Sequence, residues 1–455
     1  MTALTTDQVQ SIEERYPQIF RRPAYKRFAP LFLFGGILLY LVYALWFFDL
    51  PQVMRDSHWE RLPLFLTQWI SYDLQPEFRL DQPEITPKYP RFSALGENPD
   101  PDWVVKNADG TFTVLIDGAA RSVTFDKTKA TIVANGEMVP VALTSGKPVI
   151  TGPVPGWITA HDDEIVARMG FVGEVRVTVD RVKVRKRFLG WANFVFDTRS
   201  PFFGKSASEV ISLIWSGPEL KPGTSNLALA GDNIWNNAQW QHGDVWTKLL
   251  QTIVMAFLGT LLGGLVAFPL AFFAARNITP SGLFGQVLKR FFDFMRSVDM
   301  LIWALFFTRA FGPGPLAGSA AIFFTEIGTL GKIYSESLEN IDDKPREGIK
   351  STGANGLLVQ RYGVMPEVIP VFISQTLYQW ESNTRGATII GAVGAGGIGL
   401  KLWEAMRTNS NWANVFYMVL LILLVVFVFD NISNFLRRRL SRTIHDYNRM
   451  QAEEG

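Results

Sequence analysis

The chain of 455 residues contains no cysteine. Without thiols it forms no disulfide, iron–sulfur cluster, thiolate zinc site or cysteine nucleophile. It has only four histidines, which lie far apart and match no metal-ligand spacing: His58, His161, His242 and His445. The net charge of +2 gives no indication of a nucleic-acid partner. The sequence therefore offers no metal site and no catalytic constellation.

Long apolar runs decide the class of the protein, since 48% of its residues are hydrophobic. A helix needs about twenty apolar residues to cross a bilayer core. Five runs are of this order or longer: Ala29–Phe48, Leu249–Ala275, Met300–Leu330, Val368–Leu400 and Trp412–Phe429. The third is long enough for two spans separated by the turn FGPGP at Phe311–Pro315. The sequence predicts an α-helical integral membrane protein with about six transmembrane helices.

The first run has two interpretations. A cleaved signal peptide is one, but the run is long for the apolar part of such a peptide and no small-residue cleavage site follows it. We therefore expect an uncleaved transmembrane helix at residues 29–48.

Basic residues beside the first and last runs predict the orientation. Cytoplasmic loops and tails carry an excess of lysine and arginine. Such residues precede the first run and follow the last: Arg21, Arg22, Lys26, Arg27, Arg437, Arg438, Arg439 and Arg442. Both termini are then cytoplasmic, as tails 1–28 and 437–455. Residues 49–244 become extracytoplasmic, and 245–436 form the membrane core.

The extracytoplasmic segment contains a pattern typical of strands. Apolar and polar residues alternate in VRVTVDRVKVRK, at Val175–Lys186, and place Val175, Val177 and Val179 on one face. Turn signals stand at Asp117-Gly118 and Asn135-Gly136. A small β-rich domain is predicted at about 101–190, and the Pro- and Gly-rich flanks 74–101 and 217–237 are predicted to be linkers or loops.

Two glycine motifs suggest a nucleotide site, but each lacks a residue that such a site requires. Gly204-Lys205-Ser206 matches the end of a phosphate-binding loop, but Arg199 stands where the first glycine is required. GAGGIG at Gly394–Gly399 matches the dinucleotide fingerprint by letter. The acidic ribose ligand expected about 20 residues later is replaced by YMVLLILLV. Glycines that permit a break inside a membrane region explain this motif better.

A polar stretch, EGIKSTGANGLLVQRYGVMP, interrupts the membrane core at Glu347–Pro366. Its pattern predicts a short helix at Arg346–Ala354 and a turn at Asn355-Gly356. A second helix at Leu357–Tyr362 would end at Gly363 and Pro366. The result is a helical hairpin on the cytoplasmic side, offered to a soluble partner.

This hairpin resembles the coupling motif of ABC importer permeases, in which Glu-Ala-Ala is followed by three residues, a glycine, nine residues and Ile-x-Leu-Pro. Five residues stand at or beside positions of that motif: Glu347, Gly348, Gly353, Gly363 and Pro366. Both alanines and the isoleucine are not kept. Neighbouring segments, such as ESLENIDDKPREGIKSTGA and LYQWESNTRGATIIGAVGAGGIG, closely resemble the permease subunit of phosphonate ABC importers. The similarity extends from about Asp244 to Arg439 and excludes the β-rich insert.

The resemblance implies a type I ABC importer permease core, MetI-like, with a cytoplasmic coupling loop at 340–366. Such a chain is not an enzyme and binds no cofactor. ATP and Mg are held by a cytoplasmic ABC ATPase dimer, and a periplasmic phosphonate-binding protein delivers the cargo. A second permease copy or a paralogous permease completes the pathway in the lipid of the bacterial inner membrane. The alternatives are a permease for another small solute, such as an amino acid or betaine, and a membrane-anchored sensor acting through its β domain.

Charged residues within the predicted spans are the other candidates, because each costs around 2.5–3.5 kcal/mol at a helix centre. Glu381 and Arg385 are four apart, so that one helix face pairs them. We expect an ion pair there, with ligand contact as the alternative. Arg296 and Asp299 stand three apart at the entrance to the third span, in the translocation pathway or in intramembrane pairing. Two others, Arg309 and Glu326, are explained by snorkelling at span ends.

Overall fold

The computed structural model of the protein describes residues 24–57, 61–90, 93–96, 99–143, 146–279, 281–408 and 412–453. The chain divides into two compact units, one ending at Phe65 and the other beginning at Leu66. Two parts of the predicted cytoplasmic tails, residues 1–23 and 454–455, lie outside the described residues, and so does His58.

The first unit contains a long apolar helix, α1 (Ala24–Phe47). By length and composition, Phe28–Phe47 is suited to cross a membrane, and it coincides with the predicted first span. Two short helices follow: α2 (Leu50–Asp56) and α3 (Arg61–Thr67). Asp49 precedes α2 with a left-handed backbone, φ 45°, which an aspartate adopts more readily than most residues.

In the described residues after α3, thirteen short strands form two antiparallel sheets. The strands are β1 (Ser71–Leu74), β2 (Glu77–Arg79), β3 (Pro87–Lys88), β4 (Val104–Lys106), β5 (Phe112–Asp117), β6 (Arg121–Phe125), β7 (Lys129–Ala134), β8 (Glu137–Ala142), β9 (Val149–Ile150), β10 (Ile158–Ala160), β11 (Ile165–Arg168), β12 (Gly173–Val177) and β13 (Arg181–Leu189). One sheet has the order β10-β11-β12-β13-β2-β3, with β1 paired to β13, and the other is the meander β4 to β9. Inward side chains of both sheets share one apolar core, which includes Phe78, Val114, Ile132, Val175 and Val182.

Both predicted hairpin turns are present. Asn135 and Gly136 join β7 to β8 with φ angles of 55° and 80°, and Gly118 follows β5 with φ 55°. The segment VRVTVDRVKVRK forms a hairpin, so one of the three valines predicted to share a face lies outside the strands. β12 ends at Val177, and Thr178 donates from Oγ1 to Asp180 Oδ1 over 2.6 Å within the turn. Val179 therefore lies in the turn, and Val182 continues the buried face.

The two predicted linkers are wrong in part, because tertiary burial outweighs their Pro- and Gly-rich composition. Residues 74–101 contribute β2 and β3, where Phe78 is fully buried and pairs with Val182. Residues 217–237 contain a helix, α5 (Asn226–Trp235), whose first turn is capped by the hydroxyl of Ser225.

The rest of the chain is helical. Its elements are α4 (Ala207–Ser216), α5, α6 (His242–Ala274), α7 (Gly282–Ser297), α8 (Met300–Phe311), α9 (Pro315–Glu339), α10 (Asp343–Ser351), α11 (Gly356–Val359), α12 (Met365–Ile390), α13 (Gly397–Thr408) and α14 (Trp412–Glu453). Two five-residue π-helical turns flank α12, at Gln360–Val364 and Gly391–Ala395.

Within the described residues, three helices pass a test of length and apolar composition for crossing a membrane: Phe28–Phe47, His242–Ala274 and Trp412–Leu440. A fourth candidate is the bent pair Gly356–Ala395 and Gly397–Thr408, whose axes differ by 57°. This bend lies at Gly394–Gly399, where the glycine motif predicts a break within the run Val368–Leu400. The break predicted at FGPGP is also present, between α8 and α9.

The predicted count of six spans is not reached by this test, for two physical reasons. α8 has 12 residues, or roughly 18 Å of helix, which is shorter than a hydrocarbon core of about 30 Å. α9 has 25 residues, but it carries the charged residues Glu326, Lys332 and Glu336. The number six stays a prediction.

Small residues in the stretch GTLLGGL, at Gly259–Leu265, let α6 and α9 cross closely. A Cβ on Gly259 would lie 2.6 Å from Ile322 Cβ, and one on Gly263 would lie 2.6 Å from Glu326 Cβ. Contacts this short are not observed for real Cβ atoms, so glycine is required at both positions for this crossing.

An aromatic cluster fastens the segment after β13 to the helical core. Trp240 is buried, and its indole donates to the Ala192 carbonyl over 2.9 Å. His242, the first residue of α6, lies 2.7 Å from the Phe194 carbonyl and 3.0 Å from the Tyr417 hydroxyl. This histidine is a buried structural anchor between α6 and α14.

Candidate coupling hairpin and polar residues of the helical core

The predicted polar hairpin is present, with shifted ends. α10 begins after Asp342, whose carboxylate accepts from the Lys344 amide over 3.2 Å, and it ends at Ser351 rather than at Ala354. Gly353 makes the turn with φ 81°, a left-handed conformation that favours glycine. Asn355 then caps α11 by accepting from the Leu358 amide over 3.0 Å.

The predicted end of the second helix at Gly363 and Pro366 is wrong. α11 continues through the π-helical turn Gln360–Val364 directly into α12. The Met365 amide bonds to the Gln360 carbonyl, five residues back, which widens the helix immediately before Pro366. A proline inside an α-helix clashes with the carbonyl four residues back, and a π turn relieves such a clash. The second arm of the hairpin is therefore continuous with α12.

The five residues predicted to couple to an ATPase lie in three different environments. Glu347 and Gly348 are exposed on α10, and Pro366 is exposed at the start of α12. Gly353 is at the turn, as stated above. Gly363 is buried against the first arm of the hairpin. A Cβ at this position would lie 3.2 Å from Arg346 Cα and from the Pro345 carbonyl oxygen, so a side chain has little room there. The two later glycines thus set the hairpin's shape, whereas Glu347 and Gly348 remain available to a partner.

Sequence reasoning missed an apolar patch on the second arm of the hairpin. Leu357 is 83% exposed, and Leu358 and Tyr362 are also exposed. The adjacent leucines in a polar stretch are the signal that would have identified it. An exposed apolar patch on a polar hairpin is typical of a protein–protein contact.

The structure brings Glu381 and Arg385 together within a larger ion cluster. Arg385 Nη2 lies 3.5 Å from Glu381 Oε1, as the spacing predicts. Arg437 approaches the other carboxylate oxygen, Oε2, over 3.0 Å, and Arg385 Nη1 lies 3.5 Å from Asp430 Oδ1. Two charges in α12 are therefore balanced by two in α14. Neither Asp430 nor the pairing of Arg437 was predicted.

Arg296 and Asp299 do not pair with each other. Arg296 Nε lies 3.5 Å from Asp293 Oδ1, one turn earlier in α7. Asp299 caps α8, since its carboxylate accepts from the Leu301 amide over 2.8 Å. Asp293 also contacts Lys332 of α9 over 3.3 Å. The role of Arg296 and Asp299 in a pathway stays a prediction.

Three polar side chains meet where α6, α9 and α12 cross, and the sequence did not predict that they lie together. Asn383 donates from Nδ2 to Thr260 Oγ1 over 2.9 Å, and both residues are buried. Glu326 lies beside Asn383 and is only 2% exposed, so the predicted snorkelling at a span end is wrong for it. Its Oε2 accepts no hydrogen bond from the residues that the structure describes.

The glycine motif at Gly394–Gly399 is a helix break, in agreement with the sequence argument. Gly394, Gly396 and Gly397 have φ angles of 102°, 86° and 69°. The Gly394 carbonyl accepts from the Gly314 amide over 3.0 Å, and the Thr252 hydroxyl accepts from the Ile398 amide over 2.8 Å. The break thus packs on the turn between α8 and α9 and on α6. In the described part of the chain, no group of three His, Asp or Glu side chains is placed to hold a metal.

The helical core is similar to known proteins. Residues 267–444 match the family described as binding-protein-dependent transport system inner membrane component. The cryptic phosphonate transport system permease protein PhnE2 of Escherichia coli is 46% identical over 118 residues, which are 26% of this chain and 96% of that protein.

Two longer relatives are matched over part of their length. The phosphite transport system permease protein HtxC of Stutzerimonas stutzeri is 36% identical over 187 residues, 41% of this chain and 66% of that protein. The phosphate-import permease protein PhnE of Mycolicibacterium smegmatis is 39% identical over 158 residues, 35% of this chain and 30% of that protein. The matched segment therefore spans less than two thirds of either relative.

Proposed function

Because the chain belongs to the family of binding-protein-dependent transport system inner membrane components, we propose that it is the permease subunit of an ATP-driven importer. Its cargo is phosphonate or a related oxyanion such as phosphite or a phosphate ester. The relatives support this choice, because they are named for phosphonate, phosphite and phosphate import. The chain itself carries out no covalent chemistry and binds no cofactor.

One observation carries the proposal: a hairpin with an exposed apolar patch is joined without a break to α12. A soluble ATPase dimer that holds ATP and Mg docks on this hairpin, with Leu357 in contact and Glu347 and Gly348 exposed beside it. The continuous helix from Gly356 to Ile390 then transmits the push as a rigid body. The ion cluster at Glu381 carries it to α14.

The topology that suits this role has both termini in the cytoplasm. The basic residues after the last span, Arg437, Arg438 and Arg439, support this orientation by the positive-inside rule. Residues 49–244, with the two β sheets, then face the periplasm, where a binding protein delivers the cargo. A second copy of this chain or a paralogous permease supplies the other half of the pathway in the inner membrane.

Among the charged residues of the core, Arg296 is suited to the translocation pathway of the cargo, whereas Glu381 is suited to a structural ion pair. Arg296 is half exposed, and Asp293, its ion-pair partner, is shared with Lys332. A cation there attracts an anionic cargo without holding it tightly. Glu381 and Arg385 are occupied by their partners in α14, which favours a structural ion pair over ligand contact.

Purification of the full chain with its ATPase and binding protein tests the proposal. ATP-dependent uptake of methylphosphonate and phosphite into vesicles is measured for the natural chain and for Leu357→Asp. We expect the substitution to abolish ATPase recovery and uptake. Met138→Asp is the matched control, because Met138 is 69% exposed in the β region and lies outside the hairpin. A chain that purifies without any ATPase, or that transports only amino acids or betaine, contradicts the proposal.

A further inference from the structure

Two short helices between the β sheets and α6 leave part of their apolar surface uncovered. In α4, Val210, Leu213 and Ile214 pack inward against α5. Ile211 and Trp215, one turn apart, remain 57% and 80% exposed. At 100° per residue, these two side chains extend the packed face of α4 on one side, so the helix has an apolar arc wider than its partner covers.

The second helix repeats this arrangement. α5 buries Asn226, Leu229 and Ala230, whereas Leu227 is 62% exposed and Ile234 is also exposed. Leu227 and Ile234 are seven residues apart and so lie on the same helical face.

Charge is nearly absent from the pair. α4 contains one ionisable residue, Glu209, and α5 contains one, Asp232. At 100° per residue, Glu209 lies well away from Ile211 and Trp215, and Asp232 lies well away from Leu227 and Ile234. Two exposed lysines, Lys205 and Lys221, stand before and after α4. An apolar face with Trp, Leu and Ile, with lysines beside it, is typical of a helix at a membrane surface.

The pair lies at the beginning of a membrane-crossing helix. Trp235, the last residue of α5, packs on the first turn of α6, where a Cβ on Gly243 would lie 2.5 Å from its Nε1. The exposed face of α6 then runs through Trp246, Leu250 and Val254. Tryptophan is the residue that membrane proteins concentrate at the level of the lipid headgroups.

We propose that α4 and α5 form an interfacial anchor in the leaflet at the amino-terminal end of α6. Ile211, Trp215, Leu227 and Ile234 enter the boundary between headgroups and acyl chains, and the two lysines contact anionic headgroups. The occupant of this apolar surface is lipid because Trp235 joins the pair to the first turn of α6, a helix suited to cross a membrane whose exposed side carries Trp246, Leu250 and Val254. The anchor fixes the depth at which α6 enters the bilayer.

Site-directed spin labelling of the full chain tests the anchor, and the absence of cysteine leaves no background labelling. Single cysteines are placed at Ile211, Trp215 and Leu227 in protein reconstituted into phosphatidylethanolamine–phosphatidylglycerol vesicles. Collision of each label with oxygen, which partitions into lipid, is compared with collision with a water-soluble nickel chelate. We expect oxygen to dominate at these three positions.

Matched controls come from the polar faces of the same helices. Ser212→Cys lies 100° around from Ile211 and Asp232→Cys lies 140° around from Leu227, and both residues are exposed, so the nickel chelate should dominate there. Nickel dominance at Ile211, Trp215 and Leu227 as well would place the pair in water and overturn the proposal. Protection of those three labels from both reagents would mean that protein covers the face, which also overturns it. Labels in two helices keep the test decisive if Trp215→Cys does not fold.

Discussion

Arg437 of α14 donates from Nη2 to Oε2 of Glu381 in α12 over 3.0 Å, although the two residues are 56 positions apart. Arg385 contacts the other oxygen of the same carboxylate, and Asp430 balances Arg385. Since α12 continues from the coupling hairpin, this cluster is the polar link between the hairpin's helix and the last helix of the chain.

Glu381→Gln should loosen this link. The substitution leaves two guanidinium groups near a neutral amide, and we expect unfolding to become easier by about 1–3 kcal/mol, less than for a fully buried pair because Arg385 is half exposed. Titration with SDS in mixed micelles measures the change. Glu404→Gln, at an exposed position of α13, should have little effect. In the double variant with Arg437→Gln, the two losses should not add, and strict additivity would argue against a direct pair.

The crossing of α6 and α9 predicts different outcomes for two adjacent glycines. Gly263→Ala places a Cβ 2.6 Å from Glu326 Cβ and should destabilise the protein by about 1–3 kcal/mol. Gly264→Ala meets first the flexible end of Leu330, at 3.3 Å, and should cost much less. Both substitutions gain the same helix propensity, so their difference isolates the clash. Equal melting temperatures for the two variants would contradict the described crossing.

The hairpin allows a similar comparison. Gly353→Ala forces a side chain into a left-handed backbone and should weaken the hairpin by roughly 1–2 kcal/mol. Gly348→Ala lies in α10 with no atom within 4 Å of the new Cβ, and it should stabilise the helix by roughly 0.5–1 kcal/mol. Hydrogen exchange of the α10 amides measures both effects. If Gly348 faces the ATPase, its variant recovers less ATPase despite the firmer helix, and unchanged recovery would remove Gly348 from the contact.

The buried contact between Asn383 and Thr260 predicts a cost for removing the amide. Asn383→Leu keeps roughly the same side-chain size but removes the amide that donates to the Thr260 hydroxyl and lies beside the buried Glu326 carboxylate, at a cost of about 1–3 kcal/mol. Thr384→Val is the control, because the buried hydroxyl of Thr384 donates to the Trp380 carbonyl of its own helix. SDS titration of both variants should separate them, and a similar loss in each would mean that the contact between helices adds nothing.

Local features could be predicted from the sequence, because their causes lie within a few residues. The turns at Gly118 and at Asn135-Gly136, the pair Glu381–Arg385 and the break at Gly394–Gly399 are of this kind. The predicted classes, a helical membrane core and a β-rich region before it, are confirmed for the same reason: each depends on composition and periodicity over many residues.

Features that depend on distant residues could not be predicted. Phe78 joins a strand because β13, a hundred residues later, covers it. Pro366 signals a helix end, but a π turn absorbs it. The position of Glu326 in the sequence predicts a residue near the end of a span, yet two other helices bury it beside Asn383. In each case the deciding partner is far away in sequence, where periodicity and spacing carry no information.

The proposed function requires that the hairpin at Asp343–Val364 lies in the cytoplasm, where an ATPase reaches it. A membrane-impermeant maleimide tests this on Lys350→Cys, an exposed position of α10, with Met138→Cys as the opposite-side control. In cells with a permeable outer membrane, we expect Met138→Cys to react at once and Lys350→Cys to react only after the inner membrane is opened. Reaction of Lys350→Cys in cells with an intact inner membrane would contradict it.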